Sequence, residues 1–193
     1  GGAYNGSCNF LSAGTAGSSG SSRLWTKGDY TPIAGNVRIE KPGRTGGWVT
    51  PIWETRCLDR NGKAVTASNA ASTTENRVRL SAGTGSYDAE DGSGTISWTG
   101  SFTSAFYGGM TYWTASDPTL TVAAGGTATL TADLSGYAAS MDDTSVWVPL
   151  ETEPDQVIAT FTGVDITADG FSVAPAYRQV SVDTGTGVAQ DKT

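Results

Sequence analysis

Histidine is absent from this 193-residue chain, and its absence restricts the chemistry. Ser-His-Asp and Cys-His catalytic arrangements are excluded, together with the commonest general base and the commonest zinc ligand. Any catalysis would have to rely on carboxylates, and a glycosidase needs two of them about 5–9 Å apart. A sequence cannot show such a separation, and no other catalytic arrangement is present. We therefore predict that the chain is not an enzyme.

The acidic residues fall in clusters, of which Asp88, Glu90 and Asp91 form the first. A calcium loop is one interpretation, because hard cations take oxygen ligands. The spacing misses the EF-hand pattern, however, and the segment joins two predicted strands, so we favour a solvated hairpin turn. The clusters at 142–143 and 151–155 are interpreted as an acidic loop and a charged connection.

Basic charge and long apolar runs are also scarce. Twelve Lys and Arg stand against nineteen Asp and Glu, which gives a net charge of -7 and a pI near 4.4. Nucleic-acid binding needs a basic face, and attachment to an anionic membrane surface does too. No apolar run approaches the length of about 18 residues that a membrane helix requires. We expect neither a nucleic-acid partner nor membrane insertion of this segment.

Only two cysteines occur, Cys8 and Cys57. Their spacing excludes CxxC chemistry, and two thiols alone make a poor zinc site. Two buried free thiols are one interpretation, but we favour a disulfide, because the composition is typical of an extracellular protein. A bridge closing a loop of about 50 residues would stabilise the fold by about 4 kcal/mol. This predicts a secreted or extracellular location.

Alternating apolar and polar residues dominate the rest of the chain. Ile96 and Trp98 alternate with polar neighbours, and the stretch 127–134 places alternate Ala and Leu on one face, as in half-buried strands. Turn sequences separate such stretches at 90–94, 123–127 and 167–170. The pattern predicts an all-β fold, an antiparallel β-sandwich with short hairpins and little helix. Further predicted strands lie at 36–42, 47–59, 156–167, 170–177 and 178–183, and predicted loops at 12–22 and 66–76.

Aromatic residues concentrate in the stretch FYGGMTYWTASDPTL, residues 106–120. Its rings flank a Gly108-Gly109 turn, so they either fill a core and cover an edge or form the rim of a pocket for a flat apolar ligand. Glycines would then allow close approach, and a methionine would adapt to the ligand. Other rings are predicted to be buried in the core: Trp53, Trp98, Trp147, Tyr137 and Tyr177.

Several short segments in order resemble the HtaA domain of actinobacterial surface proteins. They are LSAGTGSYDAEDGSGTISWTGSFTSAFYGGMTYWTASDPTLTV (80–122), GGTATLTADLSGYAAS (125–140), VIATFTGVDIT (157–167) and GFSVAPAY (170–177). Upstream, LWTKGDYTPIAGNVRI (24–39) resembles the opening of that family more weakly. We therefore predict one HtaA-like domain over residues 1–182, with a divergent part at 1–76, a best-matching part at 77–182 and a flexible tail at 183–193.

The resemblance implies a secreted or cell-wall-associated domain that binds haem for haem acquisition. It assigns Tyr30 as the ligand of the haem iron, and phenolate is an established haem ligand. The family's supporting histidine is replaced here by Tyr107, whose hydroxyl cannot carry a stable positive charge. Met110, Tyr112 and Trp113 are the predicted apolar contacts. The alternative function is a structural or adhesive cell-surface module, without haem, that binds a protein or a glycan through the aromatic hairpin.

Overall fold

The computed structural model describes residues 3–4, 7–66, 68, 71–140, 142–167 and 169–176. Within these residues the chain is mostly β-structure, with two short 3-10 helices at Lys27–Asp29 and Tyr107–Gly109. The strands are β1 (Ala3–Tyr4), β2 (Ser7–Cys8), β3 (Phe10–Ala13), β4 (Ile33–Ala34), β5 (Val37–Pro42), β6 (Trp48–Val49), β7 (Arg77–Leu80), β8 (Thr84–Tyr87), β9 (Gly94–Ser97), β10 (Ser101–Phe106), β11 (Thr111–Val122), β12 (Ala128–Ala139), β13 (Trp147–Pro149) and β14 (Glu153–Phe161).

The larger sheet has eight antiparallel strands built around the long hairpin of β11 and β12. The first half of β11 pairs with β10, and β10 pairs with β3. The second half of β11 pairs with β9, which continues to β8. An irregularity between Ser116 and Thr119, with Asp117 at a φ of 49°, separates the two halves. Strand β12 pairs with β14 and β13 on its other side.

A smaller sheet of β4, β5, β6 and β7 covers one face of the larger sheet. Val37 and Ile39 of β5 are fully buried and pack with Ala13, Phe102 and Ala115 of the larger sheet. Alternate residues of one strand point to opposite faces, so this contact uses only half of the larger sheet's apolar residues. The two packed sheets confirm the predicted antiparallel β-sandwich.

Loops cover the opposite face of the larger sheet, where the aromatic residues gather. Phe10, Ala105 and Tyr112 point from this face into a cluster with Trp25 and Tyr30 of the N-terminal loops. Phe10 and Trp25 meet edge-to-face with their ring centroids 5.4 Å apart, an arrangement that aromatic pairs prefer. A third cluster lies at the far end of the sandwich: Leu120, Val122, Ala128, Phe161, Val164 and Ile166.

Two predicted strands are wrong. Within 47–59 only Trp48–Val49 is a strand, and turns follow it. Carbonyls of that segment are bound by the buried Lys41 of β5, whose Nζ donates to Thr55 O at 3.1 Å and also to Leu58 O. The Lys41 side chain therefore takes the place of the neighbouring strand that would otherwise form hydrogen bonds with these carbonyl groups.

The second wrong strand is 170–177, which has no strand in its described residues. Phe171 and Val173 nevertheless pack against the third cluster. The alternating apolar residues therefore mark the side of this irregular segment that faces the core, not a strand. Tyr177, the predicted strand at 178–183 and the predicted tail lie outside the described residues. Across the part of the chain that the structure describes, no helix has the length and apolarity needed to cross a bilayer.

Candidate functional site

A cleft of about 250 Å³ opens on the loop-covered face, between the Tyr107–Gly109 turn and the Cys8–Cys57 pair. The two cysteines form the predicted disulfide, which joins β2 to the turns after β6. Nine residues line the cleft: Ser7, Cys8, Leu24, Trp25, Arg56, Cys57, Ala64, Val65 and Gly108. The lining thus combines mostly apolar residues with the polar residues Ser7 and Arg56.

The glycine turn shapes one wall of this cleft. Tyr107, Gly108 and Gly109 all have positive φ values, of 51°, 72° and 104°, a conformation that is rare outside glycine. A Cβ on Gly109 would lie 2.2 Å from Cδ1 of Trp25, so the missing side chain makes room for the indole. Trp25 N also donates to Gly108 O at 2.9 Å. The glycines were expected to let a ligand approach the backbone closely. At Gly109 that space is filled by the side chain of Trp25 instead.

Exposed apolar side chains surround the cleft mouth. Leu24 is 55% exposed, Tyr107 45% and Met110 36%. The Oγ of Ser22 donates to Met110 O at 2.8 Å, which ties the loop before Leu24 to the hairpin. We call Leu24, Tyr107 and Met110 the apolar rim. Two of the predicted contact residues therefore lie on an accessible surface.

Tyr30, the predicted iron ligand, is buried behind the cleft and is only 8% exposed. Its ring packs against Phe10 and Trp53, with centroids 5.9 and 6.0 Å away. Its hydroxyl has no hydrogen-bond partner within the described residues, and Tyr107 therefore does not support it as the family histidine would. Burial raises the pKa of Tyr30 above its usual value of 10.0, and the charge of Arg56 partly opposes that rise.

A local network fixes the segment before Tyr30. Asp29 accepts two hydrogen bonds from Arg23, at 2.8 and 2.9 Å, and one from Thr26 N at 2.7 Å. Thr26 and Asp29 form a capping box at the start of the first 3-10 helix. The hydrogen bond from Arg23 is the main reason why the pKa of Asp29 lies well below its usual value of 3.8.

Arg56 lies in the cleft wall among aromatic rings. Its guanidinium carbon is 3.2 Å from the ring centroid of Trp53 and 4.9 Å from that of Phe10. One terminal nitrogen donates to Trp53 O at 2.5 Å, whereas Nε is buried without a partner in the described part of the chain. Burial is the main reason why the pKa of Arg56 is lowered, and the negative charge of Glu54 partly opposes it. Arginine nevertheless remains protonated in proteins.

None of the five predicted site residues is among the nine that line the cleft, and Tyr112 and Trp113 are also packed away from its surface. Tyr112 is 3% exposed, and its hydroxyl donates to Gly17 O at 2.6 Å and accepts from Ser19 N at 3.1 Å. Trp113 points to the opposite face of the sheet and packs against Phe102, with centroids 6.3 Å apart. Consecutive residues of a strand necessarily separate in this way. Trp53, Trp98 and Trp147 are half-buried and pack against the core clusters.

The acidic clusters serve turns in the structure. Asp88 accepts a hydrogen bond from Glu90 N, Asp91 accepts from Ser93 N, and Asp143 accepts from Ser145 N. These local bonds are typical of Asx turns. No group of three or more metal-ligating side chains is found among the described residues.

Sequence reasoning missed Leu24, Trp25 and Arg56, which line the cleft. For Arg56 a signal was present, because it precedes Cys57 and a bridge to Cys8 brings it close to the N-terminal strands. Nothing in the pattern of residues 24–25 indicated contact with the distant glycine turn.

Comparison with known proteins supplies the family of this chain. Neither the curated proteins nor the solved structures contain a match. The family model of HtaA, described as Htaa, matches residues 60–187. Most of the cleft lining, including Trp25 and Arg56, lies before the matched residues, whereas the glycine turn lies within them. Because the match spans about two thirds of the 193 residues, the chain belongs to the HtaA family.

Proposed function

We propose that this HtaA-family domain is a secreted or cell-surface binding domain without enzymatic activity, and that haem is its first candidate ligand. One observation carries the proposal. The Tyr30 hydroxyl is buried with no partner in the described residues, beside an aromatic cluster and a cationic side chain. A buried polar group without a hydrogen bond is costly, and such groups in native proteins are often functional.

The side chains around Tyr30 suit haem in their chemistry. Phenolate ligation of haem iron needs a tyrosine, a group that favours its anionic form and an apolar surround. Tyr30 offers the phenol. Burial raises its pKa and so favours the neutral form, and the charge of Arg56 opposes that effect only in part. When bound, haem would supply an iron atom that a phenolate can ligate. Tyr30 would hold that iron, while Trp25 and the apolar rim would contact the porphyrin.

The space is smaller than the ligand requires. Pockets for small ligands measure roughly 300–1,000 Å³, whereas the cleft has about 250 Å³ and Tyr30 is not part of its lining. The walls must therefore separate for a tetrapyrrole to reach Tyr30. Two hydrogen bonds, from Trp25 N to Gly108 O and from Ser22 Oγ to Met110 O, join those walls near the mouth. Opening there would break few polar contacts.

Titration with hemin tests this proposal. Wild-type protein should show a saturable visible spectrum with the charge-transfer band of tyrosine-ligated iron, and Tyr30→Phe should lose that band. Phe keeps the ring packing of Tyr30, so loss of the band reports the hydroxyl alone. Tyr87→Phe, which alters an exposed tyrosine in β8, is the matched control and should retain the band.

The absence of any saturable change with folded wild-type protein would contradict haem binding. The second candidate, a structural or adhesive surface module, would then be favoured. It has specific support in the apolar rim, since Leu24, Tyr107 and Met110 are exposed together at the cleft mouth. Only Tyr107 and Met110 of the hairpin would take part, because Tyr112 and Trp113 are turned into the two cores.

A further inference from the structure

We infer that Arg56 recognises an acidic group of the ligand, so that the cleft takes a flat apolar molecule that carries a carboxylate. This inference rests on the proposed binding site and adds the chemical class of the ligand's polar end. Arg56 lies before the residues that the family model matches. Recognition of the acidic group would accordingly be a property of the N-terminal part of this chain.

Arg56 differs from the other half-buried arginines of the described chain, which bind carboxylates. Arg23 pairs with Asp29 at 2.8 Å, and Arg77 pairs with Glu40 at 2.6 Å. Arg56 forms no ion pair with any described residue, and its sequence neighbour Glu54 is paired with Lys27 at 2.9 Å. Among the described residues, the partly desolvated guanidinium of Arg56 is thus left without a carboxylate, although the full sequence has nineteen acidic residues.

The guanidinium of Arg56 is held in a fixed orientation beside the cleft. Stacking over Trp53 at 3.2 Å and the bond to Trp53 O fix its plane, and Arg56 is one of the residues that line the cleft. A desolvated cation without a counter-ion is unfavourable. A ligand carboxylate would offset that cost by accepting a charge-assisted hydrogen bond from the guanidinium.

Apolar side chains close to Arg56 favour a ligand whose remaining part is apolar. Leu24, Trp25 and Val65 line the same cleft, and the apolar rim extends this surface to the mouth. The net charge of -7 repels anions at long range. Recognition of an acid must therefore come from a short-range contact, which Arg56 is placed to make.

Metal-free protoporphyrin and its dimethyl ester form the test pair, because they differ only in their acidic groups. Binding is measured by quenching of tryptophan fluorescence, since Trp25 lies in the cleft wall. Wild-type protein should bind the diacid at least about tenfold more tightly than the ester. Arg56→Gln should lose that preference by weakening diacid binding, whereas Arg56→Lys should keep part of it. Arg44→Gln, which changes an exposed arginine, is the control and should behave as wild type.

Three outcomes overturn the inference in proteins with native melting curves: equal binding of acid and ester, an unchanged preference in Arg56→Gln, or no binding of either porphyrin. If Arg56→Gln fails to fold, wild type is compared with Arg56→Lys, and a preference for the diacid that is equal in the two proteins would contradict the inference. The metal-free probe separates this inference from the proposed function. A retained acid preference without the hemin band would contradict Tyr30 ligation alone. A hemin band without acid preference would contradict the role of Arg56 alone.

Discussion

The Tyr30 hydroxyl is a buried donor that no described residue satisfies, although its ring is well packed. Tyr112 makes a direct contrast, because its equally buried hydroxyl binds Gly17 O and Ser19 N. The two tyrosines occupy one cluster and differ chiefly in this respect. A hydroxyl kept at such a cost indicates a role other than stability.

Replacing each tyrosine by Phe should therefore have opposite effects. Tyr30→Phe should raise the free energy of unfolding by about 1 kcal/mol, because it removes an unsatisfied buried hydroxyl. Tyr112→Phe should lower it by about 1 kcal/mol, because it removes a satisfied one and leaves Gly17 O unpaired. Denaturant unfolding measures both. A loss of stability in Tyr30→Phe equal to that in Tyr112→Phe would show that the Tyr30 hydroxyl has a stabilising partner.

Among the elements, the first 3-10 helix, Lys27–Asp29, is the one that positions Tyr30. It is too short to be stable by its own hydrogen bonds, and it depends on the bonds of Asp29 to Arg23 and Thr26. The depressed pKa of Asp29 means that these bonds stabilise the folded chain only when the carboxylate is charged.

Asp29→Asn should lower the free energy of unfolding by about 1 kcal/mol at pH 6. The folded-state pKa of Asp29 lies below the unfolded value of 3.8. The contribution is therefore complete above that pH and is lost as the pH falls through the folded pKa. Wild type and Asp29→Asn should accordingly converge in stability during acidification, as measured by thermal unfolding across pH. Asp142→Asn, an exposed site in another loop, should differ little from wild type at any pH. A difference that does not shrink as the pH falls from 3.8 towards the folded pKa would contradict the ionic role.

For the molecule as a whole, the two faces of the larger sheet are closed in different ways. A second sheet covers one face, and loops cover the other. Loops cannot cover a sheet as evenly as a second sheet can, and the cleft lies on the loop-covered side. The Cys8–Cys57 bridge holds those loops against the sheet.

Removing the bridge should consequently affect the whole domain. A Cys8→Ala/Cys57→Ala double variant should lose about 4 kcal/mol of unfolding free energy, because the unfolded chain is freed from a closed loop that spans 49 positions. Denaturant unfolding measures this loss. Dithiothreitol should destabilise the wild type similarly and leave the variant unchanged. A loss below about 1 kcal/mol would indicate that packing alone holds the loops.

Prediction from sequence succeeded where the determining interactions are local. Strand β12 follows from alternation, β5 lies within the strand predicted at 36–42, and the turn at 123–127 follows from its glycines, whereas β14 ends at Phe161 and covers only the first half of the strand predicted at 156–167. It failed for 47–59, where Lys41, which is distant in sequence, binds the backbone carbonyls. It also failed to place Trp25 and Arg56 in the site, because their contacts arise only when the loops fold over the sheet.

The amino-acid sequence by itself determined the β class and the hairpins, because an alternating pattern and turn residues act over a few neighbouring positions. It also determined the cysteine pair, because only two cysteines are present. Only the tertiary structure decided that Tyr30 is buried without a partner, that Trp25 occupies the space at Gly109 and that Arg56 faces the cleft. The physical reason is that burial and charge pairing depend on residues far apart in the chain, and no local pattern records which of them meet.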